Sequence, residues 1–545
     1  MLSSLLKGCK ENASSTVEWR HNLLPWAAAT ALVFGALAVD HAAAATCESL
    51  TSLALPETTI TAAQSIPAGA YRAPNGEIFT KMPAFCRVSA RLTPTSDSDI
   101  RIEVWMPTSG WNGKLEGVGN GGFAGEIAYS ELASGVSLGY ATASTDTGHV
   151  GVSTDGSFAL GHPQKIIDFG YRSVHLMTVI GKRIIASFYG ESEQRAYFTG
   201  CSTGGRQALM EAQRFPSDYD GIVAGDPVAF YTHHHVGGNL WVVWQMFNNP
   251  ASTVLTTEDT LLGNAVDAAC DALDGVVDGV LNDPRRCHFN PRALLCQGTQ
   301  TPPSCLTAEQ VQAIRHLWTG PDPMVDQQGY YPSFERGGEA DGWPSHISPP
   351  PPPAPQTDSH AAIGIPFFKY FVFEDPGWDF RTFNWTTDPA YVDSKVVVPG
   401  QTLASVLNSI NPDLRPFRAQ GGKLIQYHGF SDPEVPPLAS IDYFDDVVDF
   451  SGGSLRQTED SYRLFMVPGM NHCSGGPGAN VFDMLTPLVE WVEQDHAPES
   501  VMATHYVNNT VAQGVAFTRP LCPYPQAAVY KGSGSTSDAS NFVCK

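Results

Sequence analysis

The stretch Ala196-Tyr197-Phe198-Thr199-Gly200-Cys201-Ser202-Thr203-Gly204-Gly205-Arg206-Gln207-Ala208-Leu209-Met210-Glu211-Ala212 decides the fold. Residues 196–199 include two aromatics and a β-branched residue and read as a strand. From Gly205 onward helix formers dominate. Between the two, Gly200-Cys201-Ser202-Thr203-Gly204 matches G-x-S-x-G, a sharp strand-to-helix turn that holds a Ser hydroxyl clear of a sheet. The pattern alone is weak. With 51 Gly in 545 residues it also arises by chance, and Gly135-Val136-Ser137-Leu138-Gly139 matches it too. Ser137 precedes a strand instead of following one, so it reads as a loop serine and Ser202 as the nucleophile.

On either side of the elbow, short apolar runs alternate with turn clusters and helical patterns. Strands are expected at 100–105, 140–144 and 222–224, and a helix at 170–189. This alternation argues for a parallel α/β sheet. The same texture returns late, with strands at 423–427 and 462–467 and an amphipathic helix over 482–493, so one sheet is completed from both ends of the chain. The α/β domain is therefore assigned to 46–226 and 415–545, and 227–414 to an insertion. That insertion has four closely spaced cysteines, the proline run 349–353 and nine aromatics between Phe367 and Trp385. The prolines read as a stiff extended connector. Most of the aromatics read as core packing, with the remainder free to face a ligand.

Residues 1–45 read as an export signal, with an apolar run over 23–39 followed by small residues at Ala42, Ala43, Ala44 and Ala45. No later apolar run is long enough to span a membrane. The formal net charge of −23, from 32 basic and 55 acidic residues, argues against a nucleic-acid or anionic-membrane partner. A secreted or periplasmic location suits the ten cysteines beyond the signal, because disulfides form there and no C-x-x-C spacing offers a zinc site. Sequence does not fix connectivity. Short separations favour Cys270 with Cys287, Cys296 with Cys305, and Cys522 with Cys544, while Cys47 with Cys86 would staple the mature N-terminus. Cys201 and Cys473 are left, far apart in the chain.

A nucleophilic hydroxyl needs a base within hydrogen-bond reach and an acid to orient that base. A bridge between Cys201 and Cys473 would bring their neighbours Ser202 and His472 together. His472 lies past the strand 462–467, and Asp432 lies just past the strand 423–427. Asp226, after 222–224, is the rival acid, although a capping or turn role suits it better. The oxyanion hole is expected from the Thr203 amide and one from Gly119-Asn120-Gly121-Gly122, Gly122 first and Gly121 next. A phosphate-binding reading of that loop is weaker, because no Lys-Ser/Thr follows it. In the insertion, Asp271, Asp274 and Asp278, with Gly turns and the Val276 and Val280 carbonyls, suit calcium as well as they suit ordinary Asp-Gly turns. His233-His234-His235 are adjacent, cannot all face one ion, and are taken as structural.

Gly200 to Arg206, Asp432 and His472-Cys473 together resemble the signature of the tannase and feruloyl esterase family. The likeness extends over nearly all of the chain past the signal, including Arg214-Phe215-Pro216-Ser217-Asp218-Tyr219-Asp220-Gly221-Ile222 and Met470-Asn471-His472-Cys473-Ser474-Gly475-Gly476-Pro477-Gly478. It implies an α/β-hydrolase fold, a mostly parallel sheet flanked by helices, with a large inserted lid domain. It also implies a Ser202, Asp432, His472 triad, a disulfide joining the neighbours of Ser and His, and structural calcium on Asp271, Asp274, Val276, Asp278 and Val280. Family members cleave esters of aromatic acids: hydroxycinnamates, gallates and, in MHETase, the half-ester of terephthalate. MHETase grips its substrate carboxylate with a lid Arg, and the matching stretch here, 361–368, contains none. The reading is a serine carboxylesterase for small aromatic esters or feruloylated and galloylated plant material, feruloyl first. A serine peptidase and a non-catalytic calcium-dependent glycan-binding protein are the other classes.

Overall fold

Adjacent apolar residues in the central strands point to opposite faces and are both buried: Val104 and Trp105, Tyr197 and Phe198, Ile222 and Val223, Leu424 and Ile425, Leu464 and Phe465. A sheet covered on both sides demands such continuous runs, and helices supply the cover. The computed structural model describes residues 45–321, 331–352, 354 and 357–545. Of the leader expected over 1–45, residues 1–44 lie outside the described residues, which begin at Ala45.

The sheet comprises β1 (Thr58–Ile66), β2 (Phe85–Leu92), β3 (Ile100–Pro107), β4 (Lys114–Val118), β5 (Ala141–Thr145), β6 (Arg195–Cys201), β7 (Gly221–Gly225), β8 (Lys423–Gly429) and β9 (Tyr462–Val467). Their spatial order is β1-β2-β3-β5-β4-β6-β7-β8-β9. The three pairings from β1 to β5 are antiparallel. The five from β5 to β9 are parallel. β7 and β8 lie side by side although about two hundred residues separate them, with Tyr427 opposite Gly225. The chain thus closes its sheet from both ends, as the sequence pattern predicts.

One face packs against α2 (Ser173–Tyr189), α3 (Thr203–Arg214) and α4 (Leu438–Phe450) through residues such as Met177, Leu209 and Phe444. The opposite face is covered by α1 (Tyr129–Ser137) at one end and α5 (Leu485–Gln494) at the other, where Trp105 and Trp491 are buried. Ser137 corrects one expectation. It is the last residue of α1, not a loop serine, and its hydroxyl donates to the Ala133 carbonyl at 2.7 Å. The helix expected from 170 begins at Ser173, after a wider turn over Asp168–Arg172.

Between β7 and β8 no described residue joins this sheet. The stretch forms helices around two apolar clusters, one built on Phe367, Phe368 and Phe371 with Phe123 and Phe169, the other on Trp241, Leu262, Leu317 and Trp343. Pro353 of the proline run lies outside the described residues. Five disulfides join Cys47 to Cys86, Cys201 to Cys473, Cys270 to Cys287, Cys296 to Cys305 and Cys522 to Cys544. No helix among the described residues is long and apolar enough to cross a membrane.

Candidate active site

Ser202 sits where β6 turns into α3, with φ +63° and ψ −123°, a backbone conformation non-glycine residues rarely hold. Hydrogen bonds on both sides lock it. Its N–H donates to the Gly225 carbonyl at 3.0 Å, and its carbonyl accepts from Arg206 N–H at 3.1 Å. A Cβ at Gly200 would lie 2.5 Å from the Gly204 carbonyl oxygen, so the tight turn demands glycine there.

The long disulfide brings a distant loop to this elbow. Cys201 and Cys473 have Cα atoms 6.0 Å apart across 272 residues of sequence. Their neighbours Ser202 and His472 line one cavity of about 740 Å³ at the C-terminal ends of the parallel strands. His472 Nδ1 donates to Asp432 Oδ2 at 2.6 Å, which leaves Nε2 as the ring nitrogen for a nucleophile. Asp432 is buried, and its other oxygen accepts the Glu434 and Val435 N–H groups at 2.7 and 2.9 Å. Burial pushes the Asp432 carboxyl up, but the His472 charge and the His428 and His472 hydrogen bonds hold it well below the ordinary carboxylate range. Burial likewise opposes charging of His472, and the Asp432 carboxylate overcomes it, so the imidazole is raised.

Asp226 is the rival acid for which a capping or turn role is expected, and the structure has it accept backbone N–H groups from two distant loops. Fully buried at the end of β7 with φ +35°, it accepts the Gly429 N–H at 2.7 Å and the Cys473 N–H at 3.0 Å. One carboxylate therefore clamps the loop carrying Asp432 to the loop carrying His472. His428 supports the same centre, with Nε2 3.2 Å from Asp432 Oδ2 and Nδ1 2.6 Å from the Ser440 hydroxyl. No sequence signal marks either role, because each depends on loops brought together by the sheet.

The glycine-rich loop faces the elbow. The Thr203 hydroxyl donates to the Gly122 carbonyl at 2.7 Å. Asn120 N–H donates to Gln207 Oε1 at 3.0 Å, and Gln207 Nε2 returns a bond to Asn120 Oδ1 at 3.1 Å. Gly122 has φ +52°, and a Cβ there would meet the Ser153 carbonyl oxygen at 2.2 Å. Gly121, Gly122 and Thr203 all line the cavity.

Two expectations about the insertion change. None of the nine aromatics between Phe367 and Trp385 lines the cavity; Phe367, Phe368, Phe371, Phe380 and Phe383 are buried in a core, and Tyr370, Phe373, Trp378 and Trp385 pack against it. Their spacing reported packing alone. Among the described residues, the aromatic side chains that do reach the cavity are Tyr129, Tyr231 and Tyr427, joined by the insertion histidines His234, His235 and His346. The histidines taken as structural are buried, yet two of the three face the cavity.

The aspartate loop lies away from the cavity. Asp271 accepts N–H groups from Asp278 and Gly279 at 3.2 and 3.1 Å, and Asp274 accepts from Val276 at 2.9 Å. Asp278 Oδ2 takes Arg519 at 2.6 Å, whereas its Oδ1 is buried with no hydrogen-bond partner. The loop offers oxygen donors only, the kind a hard cation takes, and Asp274, Val276, Asp278 and Val280 border one small cleft together with Arg519.

Comparison with known proteins agrees with this architecture. The family described as tannase and feruloyl esterase matches residues 86–545. An uncharacterized esterase of Xanthomonas campestris pv. campestris is 42% identical, over 94% of this chain and 94% of its own. The mono(2-hydroxyethyl) terephthalate hydrolase of Piscinibacter sakaiensis is 34% identical, over 89% of each chain. The crystal structure of feruloyl esterase B from Aspergillus oryzae superposes with a TM-score of 0.82 at 29% identity, covering 92% of this chain and 99% of that one. A tannin acyl hydrolase from Aspergillus niger shares the fold, with a TM-score of 0.70 at 22% identity and coverage of 91% and 92%. The α/β-hydrolase sheet, the nucleophile-elbow geometry and the family match over most of the chain lead to one conclusion: the chain belongs to the tannase and feruloyl esterase family and is a carboxylic ester hydrolase.

Proposed function

We propose that the chain is an exported serine esterase for small aromatic acyl esters, with feruloyl esters preferred and galloyl esters second. Ser202 Oγ attacks the ester carbonyl while His472 Nε2 takes its proton, and Asp432 keeps the imidazole in that tautomer and stabilises its charge. The Thr203 and Gly122 amides donate to the oxyanion. His472 then protonates the leaving alkoxide. Water, deprotonated by the same nitrogen, releases the acid from the acyl-enzyme. The observation that carries this reading is the bond of 2.6 Å between His472 and Asp432, on a cavity that His472 shares with the strained Ser202.

The insertion over 227–414 serves as the lid in this reading, since Tyr231, His234 and His346 from it line the cavity. The carboxylates of Asp271, Asp274 and Asp278 and the carbonyls of Val276 and Val280 would hold calcium. Bound there, the ion offsets the negative charge of the loop and plays no part in the chemistry.

The test is an assay of the mature protein on methyl ferulate, chlorogenic acid, methyl gallate and the terephthalate half-ester, with Ser202→Ala as the blank. Turnover of an aryl ester that vanishes in Ser202→Ala is expected. Activity on amides without activity on any aryl ester would overturn the reading in favour of a peptidase.

A further inference from the structure

The cavity holds a second imidazole and carboxylate couple that the mechanism above leaves unused. We propose that His346, oriented by Glu434, is the hydrogen-bond partner for a phenolic hydroxyl on the substrate's ring. The proposal rests on the aryl-esterase reading and deepens it by naming the residues that recognise the ring hydroxyl.

Both residues line the same cavity as Ser202 and His472. Glu434 follows Asp432 by two positions, and the turn that orients Asp432 also sets Glu434, because Asp432 Oδ1 accepts the Glu434 N–H at 2.7 Å. The Glu434 carboxylate accepts hydrogen bonds from His346 Nδ1 and the Ser359 hydroxyl. The segment carrying His346 is fastened to the same turn. His360, fully buried, places Nε2 2.8 Å from the Pro433 carbonyl and Nδ1 2.9 Å from Asn239 Oδ1.

This arrangement fixes the ring. The Glu434 side chain is 12% exposed and that of His346 43%, so the pair buries its acid and leaves the imidazole open to the cavity. With Nδ1 committed to Glu434, Nε2 is the atom left for a ligand. Beside a buried carboxylate the pKa of the imidazole is raised above the ordinary value, chiefly by the Glu434 hydrogen bond.

Charge decides what Nε2 receives. Among the described residues the cavity lining includes Glu77, Glu126, Glu131 and Glu434 and no Lys or Arg, so a second carboxylate on the substrate meets repulsion that no Lys or Arg offsets. A neutral hydroxyl meets none. A phenolic O–H suits both states of the ring, since it accepts from Nε2–H of an imidazolium and donates to bare Nε2 of the neutral form. Removing the hydroxyl then leaves Nε2 without that partner, a loss such sites use for discrimination.

The experiment compares kcat/KM for methyl 4-hydroxycinnamate and methyl cinnamate, two esters that share the leaving alcohol and differ only in the ring hydroxyl. The wild-type protein is expected to favour the hydroxylated ester by about tenfold, the scale of one hydrogen bond. In His346→Ala the ratio falls to about one, through loss on the hydroxylated ester, while methyl cinnamate is turned over within about threefold of wild type. A ratio unchanged by His346→Ala, or an equal fall on both esters, overturns the proposal; an equal fall means that the pair merely holds the lid. If the alanine variant does not fold, the wild-type ratio decides, because a value near one in the intact protein overturns the proposal by itself. Absence of turnover on both esters would instead defeat the esterase reading beneath it.

Discussion

In the proposed reaction, half-buried His472 and buried Asp432 form the pair whose charges set the pH dependence. The Asp432 carboxylate raises the imidazole against the opposing effect of burial, and the imidazole must be neutral to accept the Ser202 proton. Activity therefore falls as pH drops through the raised value. The acidic limb of kcat/KM is predicted above the ordinary histidine value of about 6.5, checked by a pH profile on a substrate without ionising groups. In Asp432→Asn the limb shifts down and kcat falls on the order of 10³- to 10⁴-fold, because the imidazole loses its tautomer and its counter-charge. Asp226→Ala leaves the Gly429 and Cys473 amides without their acceptor and is expected to cost roughly 1–3 kcal/mol per amide in denaturant unfolding. Ser202, Asp432 and His472 could be picked out from the chain because each follows a strand with a recognisable pattern. Asp226 and the His346 and Glu434 couple could not, since their meaning lies in partners 80 or more residues away.

The elbow was legible as an element because its strand, its glycines and its helix are contiguous. The glycine-rich loop could be named as an oxyanion-hole candidate, but the sequence does not show what positions it. What aims it at Ser202 is the reciprocal pair between Asn120 and Gln207, 87 residues apart. Gly122→Ala, which must fit a Cβ against the Ser153 carbonyl at positive φ, is predicted to displace the loop and lower kcat on the order of 10²-fold with little change in KM. The Cys201 to Cys473 bridge joins elbow to base loop across 272 residues. In the chain-entropy picture its removal by a double Cys→Ser change costs on the order of 5 kcal/mol, less whatever constraint the other four bridges retain. Esterase activity should fall further than stability alone accounts for, because the bridge also sets the approach of His472 to Ser202.

Across the whole molecule, period and composition revealed the parallel part of a sheet finished from both chain ends, because strands buried on two faces leave continuous apolar runs, but not the antiparallel pairing of β3 with both its neighbours. They did not reveal which insertion residues meet the cavity. A cluster of nine aromatics and a ring-binding wall look alike in sequence, and only packing separates them. If the aspartate loop holds calcium, chelation should lower the melting temperature and added calcium restore it, with Ser202 still reactive at lower temperature. Loss of activity with no change in melting would contradict a purely structural ion. The central claim is that Ser202 is the nucleophile of an esterase, and the most direct measurement is the intact mass of the folded, disulfide-bonded protein after exposure to an organophosphonate, followed by peptide mapping. The account predicts one adduct per chain, on the peptide containing Ser202, absent in Ser202→Ala and accompanied by loss of aryl-ester turnover. An adduct on another residue, or an unlabelled protein that still hydrolyses esters, would contradict it.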